Sequence, residues 1–115
     1  SSVAPEVVDE VHEIARRHER VLVCLDSNHT HAHVLAELNA YADLVSVGSY
    51  CVVLDTVIED LPAELHSNRP WGPGDSPGSA VKEFLVGHPE FEVDREIDHR
   101  LLLSVGTKGY LQRTC

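Results

Sequence analysis

The apolar positions of the chain follow two different spacings, which predict helices and strands in turn. Residues 5–18 carry apolar side chains at helical spacing, and so do the residues from Val34 to Ala42. Two continuous apolar runs, Val21–Leu25 and Tyr50–Leu54, predict strands that are covered on both faces, as in a parallel sheet. The resulting order of helix, strand, helix and strand is typical of a parallel α/β fold.

The second half of the chain is predicted to add a loop, a helix and a hairpin. Residues 66–79 are rich in Pro, Gly and Ser and contain Trp71, the only tryptophan, so this segment is either a functional loop or a plain connector. Residues Ser79–Val86 predict a third helix. Leu101–Val105 and Tyr110–Arg113 predict two strands of an antiparallel hairpin.

Composition and charge limit the classes of protein to which the chain can belong. The 115 residues suit one α/β domain, and no apolar run is long enough to cross a membrane. Nineteen acidic residues against nine Lys and Arg give a net charge of −10, which argues against binding to nucleic acid phosphates. Cys24 and Cys51 lie within the predicted strands and show no metal-binding spacing, so we expect buried free thiols in a reducing cytoplasm.

An aspartate ends each of the two predicted parallel strands. Asp26 follows Leu25, and Asp55 follows Leu54. Because ligands collect outside the carboxyl ends of such strands, both carboxylates are expected in one crevice. Two converging carboxylates repel each other unless a cation or a proton lies between them, and Mg²⁺, Mn²⁺ and Ca²⁺ all suit oxygen ligands. The alternative is that each aspartate only caps the helix that follows it.

A histidine cluster lies directly beyond Asp26. His29, His31 and His33 follow one another at alternate positions where a helix is predicted to begin. This spacing cannot aim all three rings at one point, so a structural zinc site is the weaker hypothesis. The stronger one is that a single histidine near Asp26 supports the site or transfers a proton. The residues alone therefore predict an α/β domain with a divalent-cation site.

Three segments of the chain resemble a known family. The stretches LDSNHTHAHVLAEL, RPWGPGDSP and the closing GYLQR resemble the cephalosporin hydroxylase/rhamnosyl O-methyltransferase family. The resemblance implies an S-adenosylmethionine-dependent methyltransferase with a Rossmann-like sheet. It assigns this chain to the carboxyl-terminal half: parallel strands, an antiparallel hairpin and helices on both faces. The Gly-rich half that binds S-adenosylmethionine in the family would precede residue 1.

The resemblance also implies a metal site. Asp26 and Asp55 match the family's metal positions, which usually hold Mg²⁺. Some relatives carry an acidic pair at the second strand end, whereas here Asp55 stands between Leu54 and Thr56. The Thr56 hydroxyl or a water molecule would therefore complete the ligand set.

The implied reaction is methyl transfer to a hydroxyl of a sugar, a glycolipid or a small metabolite. Mg²⁺ would lower the pKa of that hydroxyl, and His29 or His31 would assist its deprotonation. The loop around Trp71 would cover the acceptor as a lid.

Two alternatives to this function stay open. One is the hydroxylation chemistry in the family's name, and the other is a non-catalytic binding module that folds by oligomerising. The family's sheet would leave Val21–Leu25 as an exposed edge in this chain, and such edges pair with other chains. We therefore expect a homo-oligomer or a partner chain at that edge.

Overall fold

The computed structural model describes residues 1–115 as a four-stranded mixed sheet with helices packed against it. The spatial order of the strands is β1-β2-β4-β3, with β1 and β2 parallel and the other neighbours antiparallel. The predicted α/β class is confirmed. The elements in chain order are α1 (Pro5–Ala15), β1 (Val23–Leu25), α2 (His31–Tyr41), β2 (Tyr50–Val53), α3 (Pro77–Gly87), β3 (Phe91–Val93), α4 (Arg95–Leu101) and β4 (Tyr110–Arg113).

The core lies between one face of the sheet and the helix pair α2 and α3. Leu38 of α2 and Phe84 of α3 are almost fully buried against Val53 of β2 and Leu111 of β4. Each such side chain contributes roughly 1.5–3 kcal/mol by leaving water. This packing holds the parallel pair β1 and β2 against the amino-terminal end of α2, where the candidate functional residues lie.

The opposite face of the sheet is less covered than the sequence predicts. Cys51 is fully buried, as expected, but Cys24 is exposed. The prediction that Cys24 is buried is therefore wrong. Because side chains alternate along a strand, Cys24 lies on the face that α2 and α3 do not cover, and β1 is an edge strand.

The partner of the last strand differs from the prediction. β4 pairs with Phe91–Val93, and the predicted strand Leu101–Val105 is instead the end of α4 and the turn beyond it. Asp94 starts α4 by accepting hydrogen bonds from the backbone of Glu96 and Ile97. Periodicity cannot separate a short apolar run in a helix end from one in a strand, which explains the error.

The other predicted elements lie within a few residues of their observed bounds. α1 ends at Ala15 rather than residue 18, and α3 begins at Pro77 rather than Ser79. A capping box causes the earlier start: the Ser76 Oγ accepts from the Ser79 N–H, and the Ser79 Oγ accepts from the Ser76 N–H. None of the helices has the length and apolar composition needed to cross a bilayer.

Candidate metal centre

The two strand-end aspartates lie at the same end of the sheet. β1 and β2 are parallel with Leu25 opposite Val53, so the residues that follow each strand emerge together. Neither aspartate side chain caps a helix. Asp55 holds the N-cap position of the 3-10 helix Thr56–Asp60, but its carboxylate accepts no hydrogen bond there. The cap residue of α2 is Thr30, and the first N–H of this helix donates to Asp75 instead of Asp26. The capping alternative is therefore not what the structure shows.

Asp55 adopts an uncommon backbone conformation. Its φ of 56° lies in the left-handed region, which a non-glycine residue occupies at a cost of about 1 kcal/mol or more. This turn redirects the chain from β2 into the 3-10 helix and leaves the carboxylate at the strand end. Strain of this kind concentrates at functional sites, which is consistent with a binding role for Asp55.

His29 joins the two aspartates. One ligand atom from each of Asp26, His29 and Asp55 lies within 4.8 Å of the other two. The His29 Nε2 is 2.6 Å from the Asp55 Oδ2, yet it is shielded from solvent and its geometry makes no hydrogen bond. A buried ring nitrogen without a hydrogen bond, beside two carboxylates, fits a divalent cation. The two carboxylates suit Mg²⁺ and Mn²⁺, and the imidazole adds a ligand that suits transition metals such as Zn²⁺.

Trp71 packs against this group. Its ring meets the His29 ring edge-on, with centroids 4.7 Å apart, and the Arg69 guanidinium carbon lies 5.5 Å from the Trp71 centroid. The tryptophan predicted as a lid is thus in contact with a residue of the centre. Its position covers one side of the imidazole and limits the access of water to it.

Glu59 fixes the loop that carries Trp71. The Glu59 Oε2 accepts hydrogen bonds from the Gly74 N–H at 2.8 Å and from the Ser76 hydroxyl at 2.5 Å. Burial opposes ionisation, but these hydrogen bonds and the Lys82 charge hold the pKa of Glu59 below its ordinary value. Since Glu59 belongs to the 3-10 helix that follows Asp55, it ties the loop to the strand end. The sequence gives no sign of this anchoring role, because it depends on where the loop folds back.

His31 occupies a different place from His29. Its Nδ1 lies 2.7 Å from the Ser79 Oγ, and its Nε2 lies 2.7 Å from the Glu83 Oε2. Its backbone N–H donates to the Asp75 carboxylate at 2.7 Å. We call His31, Asp75, Ser79 and Glu83 the His31 junction; it connects α2 to α3. Both ring nitrogens are already engaged there.

Thr56 also has other partners. Its hydroxyl donates to the Thr107 carbonyl at 2.6 Å, and its side chain is buried. Among the residues named from the sequence, the structure therefore brings together Asp26, Asp55, His29 and Trp71. It leaves Thr56 and His31 bound to neighbouring segments.

Sequence reasoning missed Glu37, which supports the turn after β1. This carboxylate is only 2% exposed, and its Oε1 accepts hydrogen bonds from the hydroxyls of Ser27 and Ser2. Because Ser27 directly follows Asp26, Glu37 fixes the backbone that presents the first aspartate. The sequence did contain one signal for this role, because Glu37 lies on the apolar face of the predicted helix.

Comparison with known proteins places the chain in a family. The family described as rhamnosyl O-methyltransferase/CmcI matches residues 1–114. Proteins named rhamnosyl O-methyltransferase from Mycobacterium bovis and Mycobacterium tuberculosis are 28% identical to it, over 98% of this chain and 44% of each relative. The chain thus spans less than half the length of these relatives, and no solved structure matches it significantly. Because the family match covers nearly every residue, the chain belongs to the rhamnosyl O-methyltransferase/CmcI family.

Proposed function

We propose that this chain holds the metal and the acceptor of an S-adenosylmethionine-dependent O-methyltransferase whose acceptor is a sugar hydroxyl. Membership of the family supports methyl transfer, and the names of the relatives support a sugar acceptor. The observation that carries the proposal is the convergence of Asp26, His29 and Asp55 at the ends of two parallel strands. The predicted cytoplasmic location stays a prediction.

The residues of the proposed site have two roles: three side chains are metal ligands, and one shields them from water. Asp26, Asp55 and His29 would hold the cation, and a bound divalent cation supplies Lewis acidity toward an acceptor hydroxyl. In this scheme His29 is a ligand rather than the base that the sequence predicts, because its Nε2 faces the carboxylates. Trp71 keeps one side of the imidazole dry, which strengthens electrostatic interactions at the centre.

Manganese binding tests the proposal directly. Trp71 is the only tryptophan and lies against His29, so Mn²⁺ at the centre should quench its fluorescence. We expect a saturable, one-site quench in the wild-type chain. Asp26→Asn should weaken this binding by at least about tenfold, since it removes one of two anionic ligands.

The matched control is Asp9→Asn, which removes an exposed carboxylate from α1. It changes the net charge by the same amount and should leave the titration unchanged. Equal Mn²⁺ affinity in wild type, Asp26→Asn and Asp9→Asn would contradict a specific metal site at Asp26. The fluorescence quench would then report only a general attraction of Mn²⁺ to an acidic surface.

Self-association through β1 is the second candidate function. β1 pairs with β2 alone, and an apolar groove of about 540 Å³ lies between this strand and α1. Leu22, at the same edge, is 57% exposed. We propose that the edge Val21–Leu25 pairs with a second copy. Sedimentation equilibrium should show a dimer that Leu22→Lys dissociates, and a monomer at all concentrations would exclude this pairing.

A further inference from the structure

A second cavity lies beside the 3-10 helix that follows Asp55. It has a volume of about 420 Å³ and lies between the 3-10 helix Thr56–Asp60, α3, α4 and the turn before β4. Its wall begins at Thr56, the residue after Asp55, while Asp26, His29, Asp55 and Trp71 do not line it. The volume falls within the range of about 300–1,000 Å³ that is usual for small-molecule sites.

The charges around this cavity cancel. Two of its lysines face carboxylates: the Lys82 Nζ is 3.8 Å from the Glu59 Oε1, and the Lys108 Nζ is 3.7 Å from the Asp60 Oδ2. The remaining charged residues of the lining are Arg95 and Asp98, one of each sign. A cavity with no net charge favours a neutral ligand over a phosphate or a carboxylate.

Two polar groups of its wall are available to a ligand. The Asp98 Oδ2 accepts a hydrogen bond from the Lys108 N–H, but the Asp98 Oδ1 is shielded from solvent and has no partner. Arg95 is exposed at the rim, and its guanidinium, which carries five N–H donors, is not held by a hydrogen bond or ion pair with the rest of the chain. The wall thus offers a free acceptor and free donors. A ligand hydroxyl can both donate and accept, so it can pair with either group.

Part of the remaining wall is apolar. Val81 and Leu85 of α3, Val93 of β3 and Leu102 beyond α4 line it. A pyranose ring combines an apolar face of C–H groups with a rim of hydroxyls, and it carries no charge. From this match we propose that the cavity binds the sugar ring of a neutral glycoside, with Arg95 and Asp98 as the residues that recognise its hydroxyls. This inference rests on the proposed function and assigns the acceptor of that reaction to a specific cavity.

Nuclear magnetic resonance titration of the full chain tests this assignment. The probe is methyl α-L-rhamnopyranoside, added with EDTA present so that no metal takes part. We expect saturable shifts of the amides of Val93, Thr107 and Lys108. Asp98→Asn and Arg95→Gln should each weaken binding roughly tenfold, since each removes a hydrogen-bonding group of the wall.

Arg100→Gln is the matched control, because Arg100 lies on the same helix but pairs with Glu96 and does not line the cavity. It should bind the glycoside like the wild type. The amide spectra also show whether each variant is folded, and Arg95→Gln, an exposed position, keeps the test valid if Asp98→Asn does not fold.

Two results would overturn the inference. One is the absence of shifts at the solubility limit of the glycoside, and the other is a response of the same amides to inorganic phosphate in its place. The metal centre is tested separately, because the manganese titration contains no sugar. Manganese binding without glycoside binding would reject only the cavity assignment, and glycoside binding without manganese binding would reject only the metal centre.

Discussion

Two histidines that are two positions apart in the chain have opposite environments. The His29 Nε2 lies 2.6 Å from the Asp55 Oδ2 without hydrogen-bond geometry and has Asp26 nearby as well, whereas both ring nitrogens of His31 are hydrogen-bonded to Ser79 and Glu83. Sequence alone assigns the two residues to the same catalytic role. The structure separates them by their neighbours: His29 lies beside two strand-end aspartates, whereas His31 joins two helices.

The two environments differ because His29 lies before the start of α2 and His31 lies within this helix. His29 lies in the turn between β1 and α2, where the backbone brings its ring over the end of β2. His31 is the first residue of α2, and the contact of this helix with α3 carries its ring to Ser79 and Glu83. We therefore expect His29 to govern metal affinity and His31 to govern stability.

Substitution of His29 should give the largest effect. His29→Gln removes the imidazole, and we expect the affinity for Mn²⁺ to fall by about 100-fold. The unfolding midpoint in denaturant should stay close to that of the wild type, because the contact of His29 with the partly exposed Asp55 carboxylate contributes little to stability. Trp71 quenching measures the first quantity and circular dichroism the second. Unchanged Mn²⁺ affinity in His29→Gln would mean that His29 is not a metal ligand and does not differ from His31 in this respect.

Glu59 should have the next largest effect, because it anchors the loop beside His29. Glu59→Ala leaves the Ser76 hydroxyl and the Gly74 N–H without their acceptor, which costs about 1–3 kcal/mol of folding free energy. Trp71 emission should shift to longer wavelength as the loop loosens. Glu59→Gln keeps an acceptor and should show a smaller shift, and identical spectra for all three proteins would show that Glu59 does not hold the loop.

The same carboxylate predicts an acid transition. The pKa of Glu59 is lower in the folded chain than its ordinary value of 4.5, so its stabilisation is complete above that pH. It is lost as the pH falls through the folded-state pKa. The Trp71 emission of the wild type should therefore change as the pH falls below 4.5, and the emission of Glu59→Gln should not show this change.

Part of this site could be predicted from the sequence, for a clear physical reason. Asp26 and Asp55 were predictable because parallel strands end at one edge of a sheet, whatever the details of the turns. The contact of His29 with Trp71 was not, since it depends on how residues 66–79 fold back through Glu59. Leu101–Val105 was misassigned because three consecutive leucines suit a strand and a helix end equally well.

A smaller effect is expected at the His31 junction. His31→Gln loses the hydrogen bonds to Ser79 and Glu83, and we expect about 1 kcal/mol of destabilisation. Because Glu83 is largely exposed, the loss should not be greater. Mn²⁺ affinity should equal that of the wild type. A drop in Mn²⁺ affinity as large as that of His29→Gln would mean that the two histidines act as one unit.

The smallest effect concerns Cys51, which reports how often the core opens. Burial raises the pKa of this thiol to about 12, so it reacts with thiol reagents only when the chain unfolds. A loss of 1 kcal/mol increases the unfolded fraction about fivefold, and His31→Gln should accelerate Cys51 labelling by that factor. His29→Gln should leave the rate unchanged. The exposed Cys115 should react at the same rate in all three proteins, which makes it an internal control, and mass spectrometry separates Cys51 and Cys115 from the exposed Cys24. Equal acceleration of Cys51 labelling by both variants would show that His29 also stabilises the fold, because labelling depends on opening of the core and not on the metal.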